Sequence, residues 1–248
     1  DASQPDSVYR VRQRQFLLAP TVWVPLAPRV RLALGPLARY TSTHSDPGTV
    51  LGSSGPYYGA GDFGEVGLRL VLELDTRDAP AAPASGAYLR LAAQAYPAAW
   101  DVIESFGIVS AEASTYLSLG DAAPATLALR AGGATVRGTA PFTEAVYVGG
   151  GTTVRGYPEQ RFAGRSGAYA NAELRVAVAR LSVGDAGVFG LADGGRVWVA
   201  GESSDRWHGA AGGGLWFAWH HRRANTISIA AARSPERTAL YLRAGLMF

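Results

Sequence analysis

Four stretches of this sequence hold residue types from which chemistry is made. Gly149-Gly-Gly151 has the composition of a phosphate cradle, in which backbone N–H groups face an anion. A phosphate loop needs Gly-Lys-Ser/Thr and a helix behind it. Here Thr152-Thr-Val-Arg-Gly-Tyr157 follows, without helical periodicity. His220-His-Arg-Arg223 places two imidazoles beside Trp219. Neighbouring residues of a strand point to opposite faces, which is poor geometry for a metal. Ser203, Ser204, Asp205 and His208 are the residue types of a hydrolytic triad within one loop, yet nothing orders them as nucleophile, base and orienting acid. The fourth stretch is Val154-Arg-Gly-Tyr157. Arg155 carries a planar five-donor fork able to serve two carboxylates. Gly156 permits a sharp turn or close backbone approach. Taken alone, the tetrapeptide reads either as an exposed hairpin turn or as an internal anchor. The expectation is no catalytic residue, no metal, no cofactor and no enzyme activity.

The elements that must position these residues are strands. In 65–75, Val66, Leu68, Leu70, Leu72 and Leu74 share one face, and Glu65, Arg69, Glu73 and Asp75 share the other. Residues 29–40 and 87–96 repeat this, and further candidates lie near 9–24, 105–119, 125–137, 168–181, 188–200, 209–221, 225–234 and 238–248. No run of about 18 apolar residues, the length a spanning helix needs, occurs in the chain. The apolar side chains are interleaved with Arg, Glu, Gly and Ser, and mean hydropathy is only +0.03. A soluble β-sandwich also alternates. Three features favour a barrel in lipid: strands beyond the roughly 9–11 residues that cross a bilayer, Arg and Glu deep inside strands, and Trp23, Tyr40, Tyr96, Trp198, Trp216 and Trp219 near strand ends as interfacial girdles. Short connections alternate with long ones at 42–62, 138–167 and 201–207, as short periplasmic turns alternate with external loops. The expected fold is an all-β, transmembrane, antiparallel up-and-down barrel of about 12 strands. Residues 1–7 form an N-terminal tail and 8–248 the barrel.

Composition narrows the function classes further. The absence of Cys excludes disulfides, zinc-thiolate sites and thiol nucleophiles. All 23 basic side chains are Arg, and the net charge of +3 is spread along the chain, without the basic block of a nucleic-acid binder. The chain shows no signal-peptide pattern at Asp1, as expected of a processed chain or a trimmed fragment.

Two segments carry a resemblance. Leu240, Leu242, Ala244, Leu246 and Phe248 fall on one strand face, with Arg243 and Gly245 upstream of a final Phe248. This is similar to the signal read by the outer-membrane insertion machinery, and also fits an ordinary amphipathic strand. Gly149-Gly-Gly-Thr-Thr-Val-Arg-Gly-Tyr157, Arg161-Phe-Ala-Gly164 and Ala170-Asn-Ala-Glu-Leu-Arg175 occur in that order, after an Asp75-Thr-Arg-Asp78 turn with Pro83 and Gly86. Together they resemble the C-terminal barrel of the BamA-like bacterial surface-antigen superfamily. That resemblance implies that the long loop folds back into the lumen and that Arg155 pairs there with Glu173 and Asp193. The residues agree: Glu173 lies opposite Ala172, Leu174, Val176 and Val178, so it points inward, where a carboxylate without a partner is costly.

The resemblance also implies the outer membrane of a Gram-negative bacterium, with lipid and lipopolysaccharide around the wall. Its expected roles are protein insertion or translocation, or service as the membrane unit of a larger protein. Expected partners are the insertion machinery during biogenesis and a periplasmic or fused soluble domain, with no nucleic acid. The POTRA domains usual in that family are not expected within these residues, since strand-like sequence starts near Val8. A passive pore favouring anions is the alternative, from Arg10, Arg12, Arg14, Arg29, Arg31, Arg39, Arg69, Arg90 and Arg130 on the inward faces; a soluble all-β domain is the third.

Overall fold

A computed structural model describes residues 11–44, 46, 48, 49, 57–120, 125–199, 201 and 206–248. The N-terminal tail and the start of the first strand, Arg10 included, lie outside them, as do Ser203, Ser204 and Asp205. The chain is an antiparallel meander: β1 Arg12–Leu18, β2 Val22–Ala27, β3 Val30–His44, β4 Asp62–Asp75, β5 Gly86–Tyr96, β6 Phe106–Leu119 and β7 Ala125–Gly138. A small hairpin, β8 Val146–Val148 with β9 Phe162–Gly164, interrupts it. The wall resumes with β10 Ser166–Leu181, β11 Gly184–Trp198, β12 His208–Trp219, β13 Thr226–Arg233 and β14 Thr238–Ala244. Twelve strands make one sheet: β1 and β2 both pair with β3, from β3 onward each strand pairs with the next, and β10 pairs back onto β7 across the excursion. This is the up-and-down barrel wall that the alternation called for. No described helix is long and apolar enough to cross a membrane.

The pleat explains the two faces. Paired residues share a side, so Arg31, Glu73 and Arg90, linked by register across β3, β4 and β5, all turn inward. Their outward neighbours, among them Leu34, Leu68, Leu70, Leu91, Leu174, Leu215 and Ile229, remain exposed as a lipid-facing surface. Inside, Leu37, Phe63, Tyr96, Val102, Phe106 and Val136 fill the long-loop end of β3 to β7.

Several sequence expectations are corrected. The first strand does not run unbroken over 9–24: Ala19–Thr21 interrupt it, and β1 and β2 are two halves of one stave along β3. The interruption fits Gly35, where a Cβ would sit 2.0 Å from the Pro20 carbonyl oxygen. Tyr96 and Trp216 are not girdle residues; Tyr96 belongs to the inward apolar cluster, and Trp216 packs against the inward Phe189 and Leu191 cluster. His220 and His221 are not on a strand: both take positive φ in the turn after β12, and His221 Nδ1 lies 2.9 Å from Asp185. Among the described residues no group of three His, Cys, Asp or Glu side chains stands in reach of one metal ion.

The turn between β4 and β5 is held by Asp78, which accepts from the Ala84 amide at 3.0 Å and pairs with Arg223 at 2.7 Å. Burial works to raise this carboxyl, but the Ala84 amide and the Arg223 guanidinium outweigh it and hold it below the usual carboxylate range. The folded value is thus depressed. Its stabilisation is complete above the unfolded value of about 3.9 and is lost as pH falls through the folded one. The expected result is a thermal transition that drops as pH falls from about 4 downward, with a flatter dependence in Asp78→Asn. Equal pH dependence in both proteins would remove Asp78 from that role.

Candidate functional site: the loop anchored in the lumen

The connection from β7 to β10 does not stay outside. It makes a 3-10 turn at Phe142–Glu144, forms the β8–β9 hairpin, and sends Gly149–Tyr157 into the lumen. Val154 and Tyr157 are buried with Val148 and the wall residue Ala210. The Tyr157 ring meets Phe162 edge-on at 5.1 Å and His208 at 5.9 Å. This apolar packing fixes the residues on both sides of Arg155.

Arg155 is 2% exposed, and each of its nitrogens donates to a carboxylate. Nε and Nη2 donate to the two oxygens of Asp193 at 2.7 and 2.8 Å, a fork-to-fork pair. The Arg155 amide donates to Asp193 at 3.0 Å, and Nη1 reaches Glu173 Oε1 at 2.5 Å. Register brings the acids together. Asn171 faces Asp193 across β10 and β11, and Glu173 stands two residues along on the same inward face. Arg155 thus meets both carboxylates that the resemblance assigned to it.

Gly156 answers a backbone demand. Its φ is +85°, and a Cβ would lie 2.9 Å from the Ser234 nitrogen. Its amide donates to the Tyr241 hydroxyl at 2.8 Å, and its carbonyl accepts from the Ser234 hydroxyl at 2.8 Å. Arg237 donates to the Tyr157 carbonyl at 3.1 Å. The loop therefore docks against the β13–β14 hairpin as well as β10 and β11.

Four further residues act here to which sequence reasoning assigned no part in holding the loop. Asn171 donates to Asp193 at 2.9 Å and to the Thr153 carbonyl at 2.6 Å. Arg130 donates to the Thr152 carbonyl at 2.7 Å. Tyr241 holds Gly156. Arg175 donates from Nε to Glu173 Oε2 at 2.9 Å. The signal for Asn171 and Arg175 was their two-residue offset from Glu173, which puts all three on one face.

The residues of the C-terminal signal are placed differently from expectation. Leu240 and Leu242 are 76% and 79% exposed on the outward face. Arg243 points inward and donates to the Gly151 carbonyl, so it belongs to the loop's anchorage. β14 ends at Ala244, and Gly245 takes φ +88°. Beyond it Leu246 and Phe248 leave the outward face: Leu246 packs with the inward cluster of Phe189 and Leu191, and Phe248 is buried against Tyr116 and Ala128. The single continuous face from Leu240 to Phe248 is therefore not present, because a left-handed residue breaks the two-residue period.

Known proteins place this architecture. BamA from Haemophilus ducreyi lacking POTRA domains 1–3 superposes with a TM-score of 0.70 at 14% identity, over 98% of this chain and 55% of that one. The present chain spans about half the length of that relative. An outer membrane channel from Pseudomonas putida F1 gives a TM-score of 0.38 at 13% identity over 94% of this chain and 82% of the other, too remote to bear on the fold. No curated protein matches the sequence. The Omp85 superfamily domain matches residues 2–221, which include every strand from β1 to β12 and the anchored loop, and the chain belongs to that superfamily.

Proposed function

We propose that this chain is an outer-membrane barrel of a Gram-negative bacterium that assists the insertion or translocation of other proteins. The observation that carries this reading is the narrowing of the wall at its C-terminal edge. β13 and β14 have 8 and 7 residues, against 16 in β10 and 15 in β11. A bilayer-crossing strand needs roughly 9–11 residues, so lipid beside β14 must thin or disorder locally. At Gly245 the chain turns away from the wall and leaves β14 short. Among the described residues no ladder joins β14 to β1. A strand edge with unpaired N–H and C=O groups templates pairing with an incoming strand. Partners on this reading are lipid and lipopolysaccharide, the insertion machinery during the chain's own biogenesis, and a periplasmic or fused soluble domain. It involves no nucleic acid and no catalysed reaction.

The passive anion pore is less well supported. Arg31 pairs with Glu73 at 2.9 Å, Arg39 with Glu65 at 3.0 Å and Arg130 with Glu112 at 3.0 Å, so much of the inward cationic charge is balanced. Arg39 also pairs with Glu144 of the inserted loop.

The test is reconstitution in liposomes with an unfolded outer-membrane barrel as client. Faster appearance of a folded, protease-protected client than in empty liposomes is expected. A disulfide between cysteines placed on β1 and β14 should abolish the gain, and reductant should restore it. A client rate equal to that of empty liposomes would leave the chain as a membrane unit without assembly activity.

A further inference from the structure

We infer that the lumen is closed at both ends by one mechanically coupled device, in which the inserted loop and residues 245–248 latch each other through Arg175 and Arg130. Coupling of this kind does not depend on the assembly role and would hold for any member of this fold built with these residues.

The short-turn end is closed by the chain itself. After Gly245 the tail crosses the mouth: the Gly245 amide donates to the Thr226 carbonyl at 2.7 Å, and the Leu246 amide to the Ala81 carbonyl at 2.8 Å. Ser228 donates to the Gly245 carbonyl at 2.6 Å. Phe248 then lies between two guanidinium groups, with Arg175 at 5.4 Å and Arg130 at 5.7 Å from its ring centre. Arg175 also donates to the Phe248 carbonyl at 2.7 Å and to the Pro83 carbonyl at 3.2 Å, tying the tail to the β4–β5 turn.

Both of those arginines also hold the loop. Arg130 does so directly, through the Thr152 carbonyl. Arg175 does so through one shared carboxylate: Glu173 gives Oε2 to Arg175 and Oε1 to Arg155. A planar carboxylate gripped at one oxygen by a fixed fork is oriented for the other. Arg175, held on the Phe248 carbonyl, also covers Glu173, which is 1% exposed, and a drier site strengthens the Arg155–Glu173 pair. Both effects have the same sign. Release of the tail frees Arg175 to rotate and wets Glu173, so it loosens the loop. Release of the loop leaves Glu173 and Asp193 to compete for Arg175 and pulls it from Phe248. Coupling between two sites is reciprocal by linkage.

The native chain has no cysteine, so single reporters are clean. Val154→Cys reports the loop and Met247→Cys the tail, each probed with a bulky polyethylene-glycol maleimide on the detergent-folded barrel. Phe248→Ala is expected to raise labelling at position 154 by about fivefold or more, and Arg155→Ala to raise labelling at 247 by a similar factor. Arg175→Lys keeps the charge beside Glu173 but loses the fork. It should raise both, and it serves if Phe248→Ala does not fold, as judged by heat-modifiable mobility. Variants that stay folded but label faster only at their own end would overturn the coupling and leave two independent closures.

Discussion

Arg155→Ala is expected to give the largest loss of stability of any single substitution in this barrel. In detergent electrophoresis the compact, heat-resistant form should convert to the unfolded one at a clearly lower temperature than in wild type. The reason is the state left behind. Asp193 loses two guanidinium donors and Glu173 loses one, while both carboxylates stay inside the lumen. Removing one member of a buried ion pair costs about 3–5 kcal/mol, mostly through the charge left unmatched. Asn171 and the loop amide still reach Asp193, which limits the loss but cannot replace the charge. Arg155→Lys should fall between, because an ammonium supplies a point charge without the bidentate fork. Wild-type heat resistance in Arg155→Ala would mean that packing around Val154 and Tyr157 holds the loop without its ion pairs.

The wall was legible in the sequence because lipid and lumen impose opposite demands on alternate residues. In β4, Val66, Leu68, Leu70, Leu72 and Leu74 had no other consistent face, and the register with β3 and β5 follows that face. What periodicity could not show is where it stops. Nothing in Ala244-Gly-Leu-Met-Phe248 opposes continued alternation. The inward turn at Gly245 depends on a partner far along the chain, the Ala81 carbonyl, which receives the Leu246 amide. Pro20 likewise marked a possible break, but only Gly35 on the neighbouring strand makes room for it. Arg155 was legible as a residue in need of carboxylates. The two that serve it lie 18 and 38 positions downstream, and came from the resemblance because no local spacing joins them. Arg175 stands in the same motif as Glu173, yet its task is set by Phe248, 73 residues away.

The second large effect is expected at Glu173, and its sign of coupling is the informative part. Arg155 and Arg175 bring two positive charges and Glu173 and Asp193 two negative ones into a region where all four residues are buried. Glu173→Gln leaves two guanidinium groups against one carboxylate, and a loss of about 3–5 kcal/mol follows by the same reasoning as for Arg155. Arg175→Gln alone leaves two carboxylates against one guanidinium and should also destabilise. The double variant restores the balance, because Arg155 keeps its fork on Asp193 and the amide oxygen of residue 173 can still accept from Nη1. Its loss should fall short of the sum of the two single losses by about 1–2 kcal/mol, within the range found for residues in one network. Denaturation midpoints of the four proteins in one detergent measure this directly. Additive losses would mean that Glu173 serves Arg155 without help from Arg175. In that case the Arg155–Glu173 pair would still hold the loop, but it would carry no link to the C-terminal residues through Arg175.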